Sequence, residues 1–399
     1  MLRGFAEAHP GTGAPHALRI GDTVFVGAQM PDGADGGLVG PGDIAAQTDR
    51  VFAGMRDLLT AAGGGMPELM KLHTYYRYRG DNLGRAATEY WERMTEVRLR
   101  YLANPGPAAT AVRVEGAPTA RHLIGIDGIG IIGGEKRRIM PKHTWDWSIP
   151  TPFSQGWRIG NKILFGGQIS ADMQGRAVAP GDVVTQTRNI LEFIRHVMVD
   201  GGGAWSDLAT LKICFKHSGS DREARALLQQ IVDVCRETIP EPRPALTAFG
   251  VDLLYEGLVL EIDAIGVLGA RRALHAAGSE SWMEVPGFPQ AWLTGNEVWM
   301  GAVSAPGGAN LQAQTEATLE RMRRILAEAG AGMEHAAKLT VFYTTEHPDD
   351  DGEREYRIIL QALADYLSSP GPVITVVRVP GLPHEGQRVA IDGIAVIDA

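Results

Sequence analysis

Three carboxylates stand in this chain where an unpaired charge is hard to keep. Asp127 lies within Leu123-Ile124-Gly125-Ile126-Asp127-Gly128-Ile129, Asp263 within Leu260-Glu261-Ile262-Asp263-Ala264-Ile265, and Asp392 within Ala390-Ile391-Asp392-Gly393-Ile394. Runs this apolar read as buried strands. An acid carried on one must be paired, hydrogen-bonded or put to use, because an isolated ionised carboxylate is strongly disfavoured in an apolar interior. Two uses are open. Each aspartate accepts backbone N–H groups or closes a salt bridge at a strand end. Alternatively each, partly desolvated, has a raised pKa and serves as a general acid or base.

The elements that must position these acids recur with them. Pro107-Ala108-Ala109-Thr110, Pro244-Ala245-Leu246-Thr247 and Pro372-Val373-Ile374-Thr375 precede the acid strands. Further upstream, Gln47-Thr48, Gln186-Thr187 and Gln314-Thr315 open helical patterns that stop at Gly63-Gly64-Gly65, Gly201-Gly202-Gly203 and Gly330-Ala331-Gly332. Gly21-Asp22, Gly160-Asn161 and Gly295-Asn296 each separate two apolar runs, which is hairpin chemistry. The order strand, strand, helix, strand, helix, strand, strand is therefore written three times, with the acids about 136 and about 129 residues apart, close to the size of a whole domain. The expected domains are residues 1–135, 136–270 and 271–399. Residues 1 to about 14 read as a loose lead-in, and Gly133 to about Thr151 and Gly269 to about Val285 as linkers.

Composition narrows the function. Of 399 residues 44% are hydrophobic, ample for a core, and the formal net charge of -9, with no basic tract beyond Lys136-Arg137-Arg138, argues against nucleic acid or an anionic membrane as partner. Cys214 and Cys235 have no metal-ligand spacing, no apolar run reaches membrane-spanning length, and Met1-Leu2-Arg3-Gly4-Phe5-Ala6-Glu7 lacks a signal-peptide core, so a cytoplasmic protein is expected. Dinucleotide, P-loop and zinc motifs are absent from the sequence, which makes cofactor-free chemistry on a small molecule the expectation.

With order and residues both in place, the chain resembles the Rid family (reactive intermediate deaminases, YjgF-type) in three consecutive copies. The middle copy carries the strongest match, in Thr151-Pro152-Phe153-Ser154-Gln155-Gly156, Gly166-Gly167-Gln168-Ile169, Gln186-Thr187-Arg188-Asn189-Ile190, Pro242-Arg243-Pro244-Ala245 and Leu260-Glu261-Ile262-Asp263. The resemblance implies an α+β fold: three chorismate-mutase-like domains forming a covalent pseudo-trimer, helices outside a central β-barrel, with clefts between repeats. The chain would be a monomeric pseudo-trimer or a low-order homo-oligomer. It also implies hydrolysis of enamines or imines to ketones and ammonia, with an arginine holding the substrate carboxylate and a glutamate near the reacting centre. The arginine position is Ala109, Leu246 and Ile374, so all three copies lack it, and the resemblance puts the glutamate position at Asp127, Asp263 and Asp392.

Further candidates follow from the same alignment of repeats. Arg113 and Arg378 lie four residues beyond two of the lost arginines, on the same strand face, and either hold an acid there or are solvated edge residues. Thr110, Thr247 and Thr375 recur, as do Gln29 and Gln168, while Phe153 and Phe288 take the place of the family's cleft tyrosine. His73 and Tyr75 alternate with Lys71 and Arg77 on one strand face, an ordinary solvated face or an anion site. The expected function is a cofactor-independent hydrolase or deaminase acting on an enamine, imine or related small carbonyl compound, aminomuconate-like, at an inter-repeat cleft. The alternative is a non-catalytic small-molecule-binding or scaffolding protein, supported by loss of the arginines. RNA cleavage fits the acidic charge poorly.

Overall fold

The glycine-led turns set each repeat's first hairpin. Gly21, Gly160 and Gly295 take φ of 58°, 56° and 60°, followed by residues of negative φ, the pattern of a type II′ turn whose twist matches the flanking strands. The structure is a computed structural model, which describes residues 3–9, 12–80, 85–147, 150–276, 287–305, 307–346 and 351–397. Part of the second expected linker, 277–286, lies outside the described residues.

The first repeat runs β1 (Arg3–His9), β2 (Ala14–Ile20), β3 (Thr23–Gln29), α1 (Ile44–Ala61), β4 (Leu69–Tyr76), α2 (Ala86–Arg98), β5 (Ala108–Arg113) and β6 (Ile124–Ile131). The second runs β7 (Lys136–Ile139), β8 (Gly156–Ile159), β9 (Lys162–Phe165), α3 (Val183–Asp200), β10 (Leu208–Lys216), α4 (Asp221–Thr238), β11 (Ala245–Val251) and β12 (Leu260–Val267). The third runs β13 (Arg271–Leu274), β14 (Ala291–Thr294), β15 (Glu297–Val303), α5 (Leu311–Ala327), β16 (Ala336–Tyr343), α6 (Glu353–Tyr366), β17 (Val373–Arg378) and β18 (Val389–Val396). Each set forms its own six-stranded mixed sheet in one strand order, β1-β2-β3-β6-β4-β5 in the first, with β4 and β5 parallel and the other neighbours antiparallel.

Each repeat has one strand more than the sequence pattern suggests. The added edge strands, β1, β7 and β13, fall in the segments read as lead-in and linkers, because runs such as Lys136-Arg137-Arg138 show no apolar alternation to announce a strand. Nor is there a closed central barrel: the three sheets stay separate ladders that abut at their seams.

The recurring Gln-Thr pair explains itself. The threonine hydroxyls of Thr48, Thr187 and Thr315 bond back to the carbonyl four residues earlier. The glutamine side chains accept from the backbone N–H of Leu123, Val259 and Arg388, just before or at the acid strand, at 2.8, 3.0 and 2.9 Å. Each helix is thereby pinned to the strand that carries the acid. Its apolar face, Val51, Phe52, Met55 and Leu59 in α1, packs on the sheet as the periodicity requires.

The opposite sheet faces meet one another. Phe25, Ile129, Leu164, Ile265, Trp299 and Ile394, drawn from all three repeats, form one shared apolar cluster, and Tyr75, Cys214, Phe249, Phe342 and Ala390 belong to a second. Along β18 the inward positions read Ala390, Asp392, Ile394, so the aspartate layer lies between the two clusters.

Candidate functional site

The three aspartates converge in that layer, and each is neutralised by a lysine of another repeat. Asp127 pairs with Lys338 at 2.8 Å, Asp263 with Lys71 at 2.6 Å and Asp392 with Lys212 at 2.9 Å. His73 bridges two of them, Nδ1 at 2.8 Å from Asp127 and Nε2 at 2.7 Å from Asp263. Thr375 donates to Asp127 at 2.9 Å and Thr247 to Asp392 at 3.2 Å. Burial works against both anions, yet Lys338 and His73 hold the Asp127 carboxyl far below the ordinary range, and Lys71 and His73 do the same for Asp263. A carboxylate so paired is poorly suited to carrying a proton near neutrality. The geometry gives these aspartates the inter-repeat salt-bridge role.

A different acid occupies a seam. The repeats abut where Gly27 faces Ile374, Gly166 faces Ala109 and Gly301 faces Leu246; a β-carbon at these glycines would stand 2.8, 3.4 and 2.5 Å from the facing carbonyl oxygens. The positions of the absent family arginine thus all lie at seams. Two residues before the aspartate, the second repeat carries a further carboxyl, Glu261, at the seam with the first repeat, where the other repeats have Gly125 and Ala390. Glu261 is 7% exposed and makes no ion pair among the described residues. Burial, then the neighbouring Asp263 charge, pushes its pKa up to about 8, against the opposing pull of the Ala111 backbone N–H and Lys71. Beside it, the Thr110 hydroxyl is buried with no hydrogen-bond partner, unlike its counterparts Thr247 and Thr375.

The chain joining the first two repeats walls this seam with aromatic rings. Gln168 accepts from Trp145 Nε1 at 3.3 Å and donates to Gln155, which in turn donates to the Trp145 carbonyl at 2.7 Å. Trp145 stacks on Phe153 at 5.3 Å and Trp147 on Trp91 of α2 at 5.0 Å. Next to Ala109 these rings enclose a cavity with about 360 Å³ of empty space including its mouth.

The remaining candidates are dispersed. Arg113 is committed to Asp252 of the second repeat at 2.9 Å, donates to the Tyr78 and Gly80 carbonyls and stacks on Tyr78, which takes it away from substrate anchoring. Arg378 is buried beside Gly352 at the seam of the third and first repeats, where its backbone bonds to Gly116. Gln29 turns back to the Gly27 carbonyl at 3.1 Å, and Phe288 packs into the second repeat's core under Arg243. Tyr75 is buried against His73, its ring centre 6.1 Å away. In the sequence Glu261 is masked by the repeated Asp263, with which it shares a motif. The available signal was its uniqueness among the three copies, two residues before the aspartate and so on the same strand face.

Comparison with known proteins adds to this geometry. Residues 148–268 match the family model described as Endoribonuclease L-PSP. A RutC family protein of Pyrococcus abyssi is 29% identical over 114 residues, which are 29% of this chain and 84% of that protein. The 3-aminoacrylate deaminase RutC of Acinetobacter baylyi is also 29% identical over 114 residues, covering 29% of this chain and 85% of its own. Among solved structures, a chorismatase superposes over 82% of this chain and 93% of its own, with a TM-score of 0.52 and 12% identity, a likeness of fold.

Proposed function

Because the middle third of the chain, residues 148–268, belongs to the L-PSP family, also called the Rid or YjgF family, we propose that the three repeats act as a covalent pseudo-trimer with one working cleft. That cleft is the seam between the first and second repeats. Its reaction is cofactor-independent hydrolysis of an enamine, imine or related small carbonyl compound with release of ammonia, in keeping with the deaminases among its relatives.

The observation that carries this reading is the state of Glu261. With its pKa near 8 it is mostly protonated at neutral pH and titrates within reach of it, as a group must that first gives and then accepts a proton. The protonated carboxyl donates to the enamine carbon β to nitrogen while the nitrogen lone pair forms the C=N bond. The carboxylate left behind takes a proton from the water that adds to the carbon of that C=N bond. Glu261 then protonates the carbinolamine nitrogen, and ammonia leaves as the hydroxyl proton returns to the carboxylate. The other two seams, with Gly125 and Ala390 in place of the acid, serve as scaffold, and the Asp-Lys layer holds the repeats in register.

Ammonia release from a panel of enamines generated in situ tests this. Wild-type protein turns over at least one of them, Glu261→Gln does not, and a folded Asp392→Asn protein keeps most of the activity. A panel on which the wild-type protein is silent while still binding ligands favours the second reading, a small-molecule-binding protein. That reading draws on the tight closure of the cavity, in which only about 20 Å³ is open to the centre of a water molecule.

A further inference from the structure

Helix α2 ends in a cation with no counter-ion among the described residues. Arg98 is 7% exposed and lines the cavity beside Ala109. Its guanidinium makes no hydrogen bond or ion pair among the described residues, and its Nε is buried without a partner. Burial pulls its pKa down to about 10, so it remains charged at neutral pH. The favourable end of the helix dipole offsets only a small part of what burying an unpaired cation costs. The same cavity meets three further side chains whose polar atoms are buried and unpartnered, Trp91 Nε1, Thr95 Oγ1 and Thr151 Oγ1, and no acidic side chain lines it. Two of these four groups can only donate, so the shortfall is of an acceptor.

The rest of the wall is flat and apolar. Trp147 and Phe153, from the chain linking the first two repeats, line the cavity with Trp91; Trp147 stacks on Trp91 at 5.0 Å and meets Phe153 edge-on at 5.6 Å. Separate subunits have no such link, so this wall exists because the repeats are fused. Ala109, at the position of the absent arginine, lines the same cavity as Arg98. Glu261 does not line the cavity; it lies beside Gly167 near the Thr110 hydroxyl, and Thr110 follows Ala109 of the cavity wall on β5.

We propose that this cavity binds the carboxylate of a substrate with a planar, hydrophobic body, Arg98 and Trp91 Nε1 holding the acid while Trp147 and Phe153 cover the body. This rests on the reading of the seam as the working cleft and names its substrate class: an unsaturated or aryl-bearing carboxylate rather than a small aliphatic imino acid. Only about 20 Å³ of the cavity is open to the centre of a water molecule, so a ligand enters by displacing its ring walls. Because little of it is open in the closed form, occupation turns the Trp147 ring, and tryptophan emission reports binding.

The experiment titrates the protein with trans-cinnamate, its amide and acetate, following tryptophan emission and thermal midpoint. Cinnamate binds saturably and raises the midpoint, while cinnamamide and acetate bind at least tenfold more weakly. In Arg98→Met the preference for acid over amide disappears, whereas Glu261→Gln retains it. Equal affinity for cinnamate and its amide in the wild-type protein overturns the proposal, and so does unchanged cinnamate binding in Arg98→Met. Should Arg98→Met fail to fold, the wild-type comparison of acid and amide still decides. Carboxylate binding with no turnover of any enamine sinks the proposed reaction but not this site; turnover of uncharged enamines with no carboxylate preference sinks this site alone.

Discussion

Gly167 leaves the space that Glu261 fills: a β-carbon at Gly167 would stand 1.9 Å from the Glu261 Oε1 atom and 3.1 Å from the Thr110 hydroxyl. The other repeats have alanine at the matching place, Ala28 and Ala302, and Gly125 and Ala390 in place of the glutamate. Two departures in one repeat therefore answer each other sterically. Gly167→Ala should displace the carboxyl and lower turnover on the order of a hundredfold, the scale of a misplacement of about 1 Å. Overpacking should cost about 1–3 kcal/mol of stability. Combining Gly167→Ala with Glu261→Ala, as in the third repeat, should restore the stability and not the activity, which chemical denaturation and an ammonia assay would separate.

Glu261 also leaves a mark on stability. Its folded pKa, about 8, exceeds the unfolded value near 4.3, so its contribution is full below the unfolded pKa and is lost as pH rises toward 8. Glu261→Gln should change unfolding free energy little at pH 4 to 5. At pH 9 it should stabilise the protein by on the order of 3–5 kcal/mol relative to wild type. Urea melts at the two pH values check this, and an equal effect at both would show that the carboxyl is not desolvated as described.

The charged layer behaves in the opposite sense. Folded Asp127 and Asp263 have pKa values below the unfolded one, so their stabilisation is present above about pH 4 and is lost as pH falls toward the depressed folded values. Asp127→Asn leaves Lys338 without its ion-pair partner and His73 with Asp263 alone, and should cost about 3–5 kcal/mol. Asp127→Leu together with Lys338→Met should recover most of that loss, since replacing a whole buried pair by apolar groups is often neutral. Denaturation midpoints of the single and double variants make the comparison.

Much of this architecture was legible in the residues. The hairpin glycines, the Gln-Thr helix starts and the acid strands all fall where their patterns placed them, because each depends on local backbone chemistry repeated three times. The edge strands β7 and β13 were hidden, since their short polar sequences become strands only beside a neighbour. The site was harder still. The motif drew notice to Asp263, whose partner Lys71 lies 192 residues away, a contact no local pattern reveals. Arg98 has meaning only because no acid among the described residues pairs with its charge, which is a fact of tertiary structure.

The most direct test of the central claim, that Glu261 supplies the proton at the seam of the first and second repeats, is the pH dependence of kcat/KM for ammonia release from a non-ionising enamine. The rate should hold through neutrality and fall tenfold per pH unit above a midpoint close to 8, as the acid form is titrated away. A rate that stays level through pH 9, or that follows the same curve in Glu261→Gln, would contradict it.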